Sequence, residues 1–386
     1  MTTTTPAAAL SDSEVAAWRR RFPILERTTY LINNSLGAMP ATVPASLQAY
    51  TDAWASRGVE VWHEWLAEVR RVADRLAGLL GAPAGSVVVH QNVATLLAMV
   101  LSALEFRDRR NRIVFTDADW PSSRYQLAAQ RQLGARLCVV ETDGISVDTE
   151  RLLAAIDEHT MLVAISHVLF RSSAIVDVAP VVERAHEVGA YCLVDGYHAV
   201  GHLPVDVTAL GVDFYVGGSV KWLCGGSGCC YLYVRPDLHD VLRPRDVGWL
   251  GHARPFAFLD DFEPAPGAMG WLGGTPSISA LYAAREGHAV IAEVTPARIR
   301  ATSIPLTTRL VEGALERGIA VRSPLEPERR AGAVTLDLGP GTEAASRRLI
   351  DAGIIVDYRP GAGIRVGPHF FSTRDEIDAL LDALET

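Results

Sequence analysis

The stretches AYCLVDGYHAVG (residues 190–201) and DFYVGGSVKWL (residues 213–223) decide the fold of this chain. Each begins with a short apolar run, which predicts a buried β-strand, and continues into a turn that contains glycine. Asp195 and Lys221 lie in the segments where these two strands end. Ligands of open parallel sheets gather at the carboxyl ends of the strands, so we expect both side chains to face one crevice.

Short β-rich segments alternate with helical patterns on both sides of these stretches. Alternating strands and helices are typical of a mainly parallel sheet wrapped by helices, which is an α/β fold. The predicted strands of this sheet are residues 86–90, 112–116, 136–140, 161–166, 190–194, 214–216 and 230–234.

A segment rich in glycine and proline at residues 264–276 precedes a different pattern. Beyond it, long helical stretches and a few short strands predict a smaller α+β domain. We therefore expect an N-terminal arm at residues 1–42 that packs on the small domain, a large domain at 43–285 with a sheet of the seven-stranded type, and a small C-terminal domain at 286–386.

One residue count singles out Lys221. Of the 36 lysine and arginine residues in the chain, all but Lys221 are arginines. The two cations serve almost equally well on a solvated surface, but only the lysine amine can lose its proton and act as a nucleophile. The single lysine therefore indicates a chemical role.

Composition narrows the class of partner. The formal net charge of −9 provides no basic surface for nucleic acid, so we expect a small-molecule substrate. Neither a signal peptide nor an apolar run of about 18 residues is visible, which predicts a cytoplasmic protein without a membrane span. The five cysteines are an odd number without zinc-ligand spacing, so we interpret them as small buried hydrophobes.

Asp195 and Lys221 together match the needs of pyridoxal 5′-phosphate (PLP). This cofactor requires a lysine that bonds to its aldehyde and a carboxylate that keeps its pyridine nitrogen protonated. Aspartates at strand ends are also common turn residues, and His198 fits either a cofactor contact or a turn contact. The single lysine, the two strand ends and the surrounding glycines favour PLP.

Seven stretches, in this order, resemble the class V aminotransferase superfamily of fold-type I PLP enzymes, and its kynureninase branch most closely. The resemblance covers nearly the whole chain and rests on the order and spacing of the motifs. The stretches are residues 34–40, 167–172, 195–201, 219–223, 248–252, 262–268 and 274–278.

The resemblance implies a role for each matching residue around the cofactor. Lys221 bonds to the aldehyde, Asp195 pairs with the pyridine nitrogen, and Trp120 stacks on the ring. The remaining residues implied to bind the cofactor are His198, Val93, Ala94, Ser172 and Ser219, with backbone amides of Val93 and Ala94 at the phosphate.

The resemblance also implies a substrate site and a homodimer. Arg365, in the segment GIRVGPHFFST (residues 363–373), grips the substrate α-carboxylate, and Asn34 joins it in substrate binding. A planar guanidinium binds a carboxylate through two parallel hydrogen bonds. Trp249 and Thr275 match residues that reach the phosphate from a second subunit, so the active site is expected at a subunit interface.

Two positions depart from the kynureninase pattern. Val220 replaces a tyrosine that serves phosphate binding and proton transfer, and Ser123 replaces an acidic residue. An isopropyl group exchanges no proton, which argues against hydrolysis of kynurenine itself. Residues 351–364 contain no cysteine, so the persulfide chemistry of cysteine desulfurases is not expected.

The expected reaction starts from an α-amino acid that forms a Schiff base with PLP and then a carbanion at Cα. Side-chain cleavage is favoured, either β-elimination at a C–S or other C–X bond or kynureninase-like Cβ–Cγ hydrolysis, with a place in specialised metabolism. Transamination and epimerisation of the isopenicillin N type are the alternatives. A PLP-fold binding protein without catalysis is a more remote alternative.

Overall fold

The computed structural model describes residues 7–106 and 108–385. Its strands are β1 (Thr29–Tyr30), β2 (Val87–His90), β3 (Arg112–Thr116), β4 (Arg136–Val140), β5 (Thr160–Ser166), β6 (Tyr191–Asp195), β7 (Phe214–Gly218), β8 (Cys230–Val234), β9 (Ala320–Val321), β10 (Val334–Asp337), β11 (Ile354–Ile355), β12 (Asp357–Arg359) and β13 (Gly363–Val366). Its helices are α1 (Asp12–Arg19), α2 (Val43–Arg57), α3 (Trp62–Leu79), α4 (Val93–Ser102), α5 (Pro121–Ala129), α6 (Thr149–Ala154), α7 (Ala179–Glu187), α8 (Val207–Leu210), α9 (Ile278–Val294), α10 (Pro296–Glu316), α11 (Thr342–Asp351) and α12 (Arg374–Leu384).

The central sheet has seven strands in the order β2-β8-β7-β6-β5-β3-β4. Strand β8 runs antiparallel to both of its neighbours, and the other neighbouring strands are parallel. Helices cover the sheet, so its strands read as continuous apolar runs rather than as alternating patterns. The predicted α/β fold with a mainly parallel seven-stranded sheet is confirmed.

The sequence pattern predicts helices over residues 43–80 and 305–318, and both have different bounds in the structure. The helical pattern from residue 43 to 80 is divided between α2 and α3, because Gly58 has a positive φ of 50° that ends α2. Pro305 does not begin a helix but lies inside α10, which starts at Pro296 after a Thr295 side-chain cap. Burial of Leu306 and Leu310 against the smaller core offsets the hydrogen bond that proline cannot make.

A second, antiparallel sheet has the order β12-β13-β10-β9 and shares a core with α10, α11 and α12. The N-terminal segment reaches this part of the molecule through the pairing of β1 with β11 and through an ion pair between Arg19 and Glu376 of 2.9 Å. Helix α9 continues through the expected boundary at residue 285. The division into three parts stays a prediction, and residues 1–6 of the expected arm and residue 386 lie outside the described residues.

The N-terminal segment also passes directly over the turn that carries Lys221. Gly37 N–H donates to the Val220 carbonyl at 2.8 Å, and a Cβ atom on Gly37 would lie 2.1 Å from the Lys221 carbonyl oxygen. Glycine is required at this close approach. Among residues 7–106 and 108–385, no helix combines the length and the apolar character needed to cross a bilayer.

Candidate active site

A cavity of about 480 Å³ opens at the carboxyl ends of β6 and β7. The sequence-predicted residues that line it are Lys221, Asp195, His198, Trp120, Val93, Ala94 and Arg365. They come from β6, β13, the turns after β6 and β7, and the starts of α4 and α5, so the fold brings together residues as distant in the chain as Val93 and Arg365. The expected crevice at the strand ends is therefore present.

Burial controls the charge of Lys221. The amine Nζ lies 2.6 Å from Nε2 of His198. Loss of solvation lowers the pKa of Lys221, and the nearby Arg365 and Arg359 lower it further, while Asp195 opposes the shift. Burial also lowers the pKa of His198 well below its ordinary value, so this imidazole is neutral and can share a proton with the amine.

Asp195 is held at the end of β6 by its own turn. Its Oδ1 accepts a hydrogen bond of 2.9 Å from the Tyr197 backbone N–H. Burial raises the pKa of Asp195, the Tyr197 bond and the Lys221 charge lower it, and buried Asp119 adds a further raising effect. A cationic partner in the cavity would favour the ionised carboxylate, as protonation of a pyridine nitrogen requires.

Two aromatic rings flank the Lys221 amine. Nζ lies 4.3 Å from the ring centroid of Tyr197 and 5.5 Å from that of Trp120. The Trp120 ring is 40% exposed and stands edge-on to Phe170, with ring centroids 4.9 Å apart. Trp120 lines the cavity, and its flat ring suits stacking on a planar group.

The first turn of α4 directs backbone N–H donors to the cavity, which Asn92, Val93 and Ala94 line. Asn92 caps this helix by accepting a 2.8 Å hydrogen bond from the Thr95 N–H. The amides of Val93 and Ala94 precede the first intrahelical bonds, and the helix dipole adds a partial positive charge there. An anionic phosphate suits this position.

Arg365 does not enter the cavity alone. Its guanidinium forms two bonds to Asp357, at 2.9 and 2.6 Å, and one to the Phe170 carbonyl at 2.9 Å. Arg359 binds the same carboxylate at 2.8 Å and also lines the cavity. Two arginines sharing one aspartate leave a net positive charge, which is what a substrate carboxylate needs.

The remaining predicted residues lie outside the cavity lining. The Ser219 hydroxyl is buried and hydrogen-bonded to His288 at 2.8 Å, and the Ser172 hydroxyl accepts from the Ala174 N–H at 3.2 Å. Asn34 is buried against Gly367, and its amide has no hydrogen-bond partner among the described residues. The Trp249 indole N–H donates to the Pro255 carbonyl, and Thr275 is exposed.

Sequence reasoning missed Tyr197, Asp357 and Arg359. Tyr197 lies between the two singled-out residues Asp195 and His198, so its position was a usable signal. Asp357 and Arg359 alternate along β12, which indicates one shared face, but only the pairing of β12 with β13 places Asp357 opposite Arg365.

The cavity residues fit PLP. The buried Lys221 amine matches the aldehyde, the Asp195 carboxylate matches the pyridine nitrogen, and the first backbone amides of α4 match the phosphate. All three groups line the same cavity, and Trp120 adds a stacking face.

Comparisons with known proteins identify the family and the fold of this chain. The family model for class V aminotransferases matches residues 29–377. Kynureninase of Pseudomonas fluorescens is 32% identical over 95% of this chain and 91% of its own. A cysteine desulfurase from Thermococcus onnurineus NA1 superposes with a TM-score of 0.86, at 22% identity and 98% coverage of both chains. A structure of C-DES with glycine covalently linked to its PLP cofactor has a TM-score of 0.85, at 21% identity, covering 95% of this chain and 98% of the other.

Proposed function

Because the chain belongs to the class V aminotransferase family, which makes it a PLP-dependent enzyme, we propose that it cleaves the side chain of an α-amino acid at Cβ by β-elimination. One observation carries this proposal: Lys221, Asp195, Arg359 and Arg365 line one cavity, and the two arginines share the Asp357 carboxylate. An amine, a carboxylate and a net cation match the aldehyde and ring nitrogen of PLP and the carboxylate of an amino acid.

The chain's own residues would divide the work as follows. PLP, when bound, withdraws electrons from Cα of an amino acid and so labilises the bonds around it. Arg365 and Arg359 would hold the α-carboxylate and orient Cα towards Lys221. The Lys221 amine would remove the Cα proton at Nζ, because burial makes it neutral more readily than an exposed lysine, and His198 would share that proton at Nε2.

The lining at residues 123 and 220 favours a leaving group that is stable as an anion. Ser123 and Val220 both line the cavity, and neither is an acid that could give Cβ the proton that Cβ–Cγ hydrolysis requires. A thiolate departs without such help. This supports β-elimination at a C–S bond over Cβ–Cγ hydrolysis.

Incubation of the holoenzyme with S-substituted cysteines, kynurenine and a panel of common amino acids tests the proposal. We expect an α-keto acid, ammonia and a free thiol in equal amounts from an S-substituted cysteine, and none from the Lys221→Ala protein. Anthranilate with alanine from kynurenine would indicate Cβ–Cγ hydrolysis. Conversion of the cofactor to its amine form, reversed by a keto acid, would indicate transamination and contradict the proposal.

We also propose that the protein acts as a homodimer in the cytoplasm. The segment that follows Trp249 exposes several large apolar side chains, whose burial would favour association. They are Phe256 (42% exposed), Phe258 (74%), Leu259 (48%) and Phe262 (43%). A second subunit on this surface would bring Trp249 and Thr275 towards the partner's phosphate.

A further inference from the structure

Tyr197 has a fixed place in the cavity that the proposed reaction does not use. Its backbone N–H is bonded to Asp195, and its ring lies against the Lys221 amine on one side while Trp120 lies near the amine as well. Both rings line the cavity. A flat group attached to Nζ would therefore lie near two aromatic rings.

The Tyr197 hydroxyl is a weakly paired donor. Among the described residues its hydrogen-bond partner is the Cys230 thiol at 3.8 Å, and a thiol is a poor partner for a phenol. Burial raises the pKa of Tyr197 well above the ordinary value of 10.0, so the hydroxyl keeps its proton and can donate. A buried phenol usually has a better acceptor than sulfur.

The same thiol connects Tyr197 to the start of α4. The Val93 backbone N–H lowers the pKa of the Cys230 thiol, so the phenol and the first amide of α4 both lie near this sulfur atom. The hydroxyl thus lies at the phosphate-binding end of the cavity.

The absence of a side chain at Gly218 provides the space that the Tyr197 phenol occupies. A Cβ atom on Gly218 would lie 2.5 Å from the Tyr197 hydroxyl and 2.6 Å from Cys230 Sγ. Such distances are shorter than van der Waals contact, so any side chain at residue 218 would displace the ring. The glycine pair at the end of β7 is thereby explained in part by the position of Tyr197.

We infer that Tyr197 is a cofactor-binding residue: its ring is the second aromatic wall of the PLP site, and its hydroxyl donates to the phosphate. This inference rests on PLP binding alone and is independent of which bond of the substrate breaks.

The apoprotein is titrated with PLP and with pyridoxal, which lacks the phosphate. This comparison distinguishes the contact of the Tyr197 hydroxyl with the phosphate from the contact of the Tyr197 ring with the cofactor ring. Binding is followed by tryptophan fluorescence and by the visible absorption of the bound cofactor, so no turnover is needed. We expect Tyr197→Phe to weaken PLP binding by about ten- to a hundredfold, since a hydrogen bond to a charged group is lost, and to leave pyridoxal binding unchanged. Tyr197→Leu should weaken both ligands.

Tyr125→Phe is the matched control, because this tyrosine is 73% exposed on α5 and should bind both ligands like the unchanged protein. Wild-type PLP affinity in Tyr197→Phe, or equal weakening of both ligands, would overturn the phosphate contact. Unchanged pyridoxal affinity in a folded Tyr197→Leu protein would overturn the aromatic wall. If Tyr197→Leu does not fold, Tyr197→Phe still tests whether the hydroxyl binds the phosphate. An enzyme that binds PLP as expected but cleaves no side chain would refute the proposed reaction only.

Discussion

At the scale of single residues, burial sets the reactivity of Lys221. The amine attacks an aldehyde only when it is neutral, and desolvation lowers the pKa of Lys221 from 10.5. Asp195 limits this shift because its charge stabilises the ammonium. We propose the same carboxylate as the partner of the pyridine nitrogen, so that Lys221 and Asp195 would act at opposite ends of the cofactor's ring.

This balance predicts the pH dependence of cofactor attachment. The rate of PLP incorporation into the apoprotein, measured by stopped-flow absorbance, should rise with pH and level off well below pH 10.5. Asp195→Asn removes the charge that raises the pKa of Lys221, so the midpoint should move to lower pH. A rate that still increases at about pH 10, as for an ordinary lysine, would contradict the lowered pKa.

Sequence alone identified Lys221 and Asp195, since a residue count and two strand ends mark them. It could not identify Asp357, because the role of this carboxylate depends on the long-range register that places it opposite Arg365. The hydroxyls of Ser172 and Ser219 were assigned to the cofactor from local motifs. Their partners in the structure, the Ala174 N–H and His288, depend on how the chain turns and packs.

The Asp357 cluster gives a prediction for stability. Asp357→Asn would leave Arg365, with only 3% of its side chain exposed, without its carboxylate partner. Removing one member of a buried ion pair costs about 3–5 kcal/mol, so urea unfolding should show a loss of this size together with a higher KM. Asp351→Asn, at an exposed position of α11, should change the free energy of unfolding by less than about 0.5 kcal/mol. Equal stability of the two variants would refute a structural role for Asp357.

At the scale of elements, the strands of the central sheet were predictable because buried parallel strands appear as uninterrupted apolar runs. Helix bounds were less predictable. Gly58 interrupts an apolar pattern that continues on both sides, and Pro305 is tolerated in α10 because tertiary packing outweighs local preference. Neither outcome can be read from local periodicity.

Helix α4 links stability to cofactor affinity. Asn92→Ala removes the side-chain cap and should lower the free energy of unfolding of the apoprotein by about 1 kcal/mol. It should also weaken PLP binding, because the same turn presents the Val93 and Ala94 amides. Thr373→Ala removes the corresponding cap of α12, far from these amides in the chain, and should cost a similar amount of stability without weakening PLP binding. Equal PLP affinities of the two variants would show that the first turn of α4 does not bind the phosphate.

At the scale of the whole molecule, the proposed dimer predicts that inactive subunits complement each other. If Trp249 serves the partner's site, a hybrid of Lys221→Ala and Trp249→Ala subunits contains one intact site and should recover about half of the wild-type activity per dimer. A hybrid of Lys221→Ala and Asp195→Asn subunits has no intact site and should stay inactive. If the first hybrid recovers no activity, Trp249 serves the active site of its own subunit.

Because the chain's single lysine is buried, cleavage after this lysine can be used to follow local opening of the fold. An endoprotease that cuts only after lysine has one recognition point in this sequence, and the bond it must reach joins Lys221 to fully buried Trp222 beneath Gly37. Digestion of the native protein therefore requires this region to open, and it yields two fragments and no others. The digestion rate of the apoprotein would report the opening equilibrium of the turn at Lys221 without any introduced label, and attachment of PLP to the Lys221 amine should block the cut.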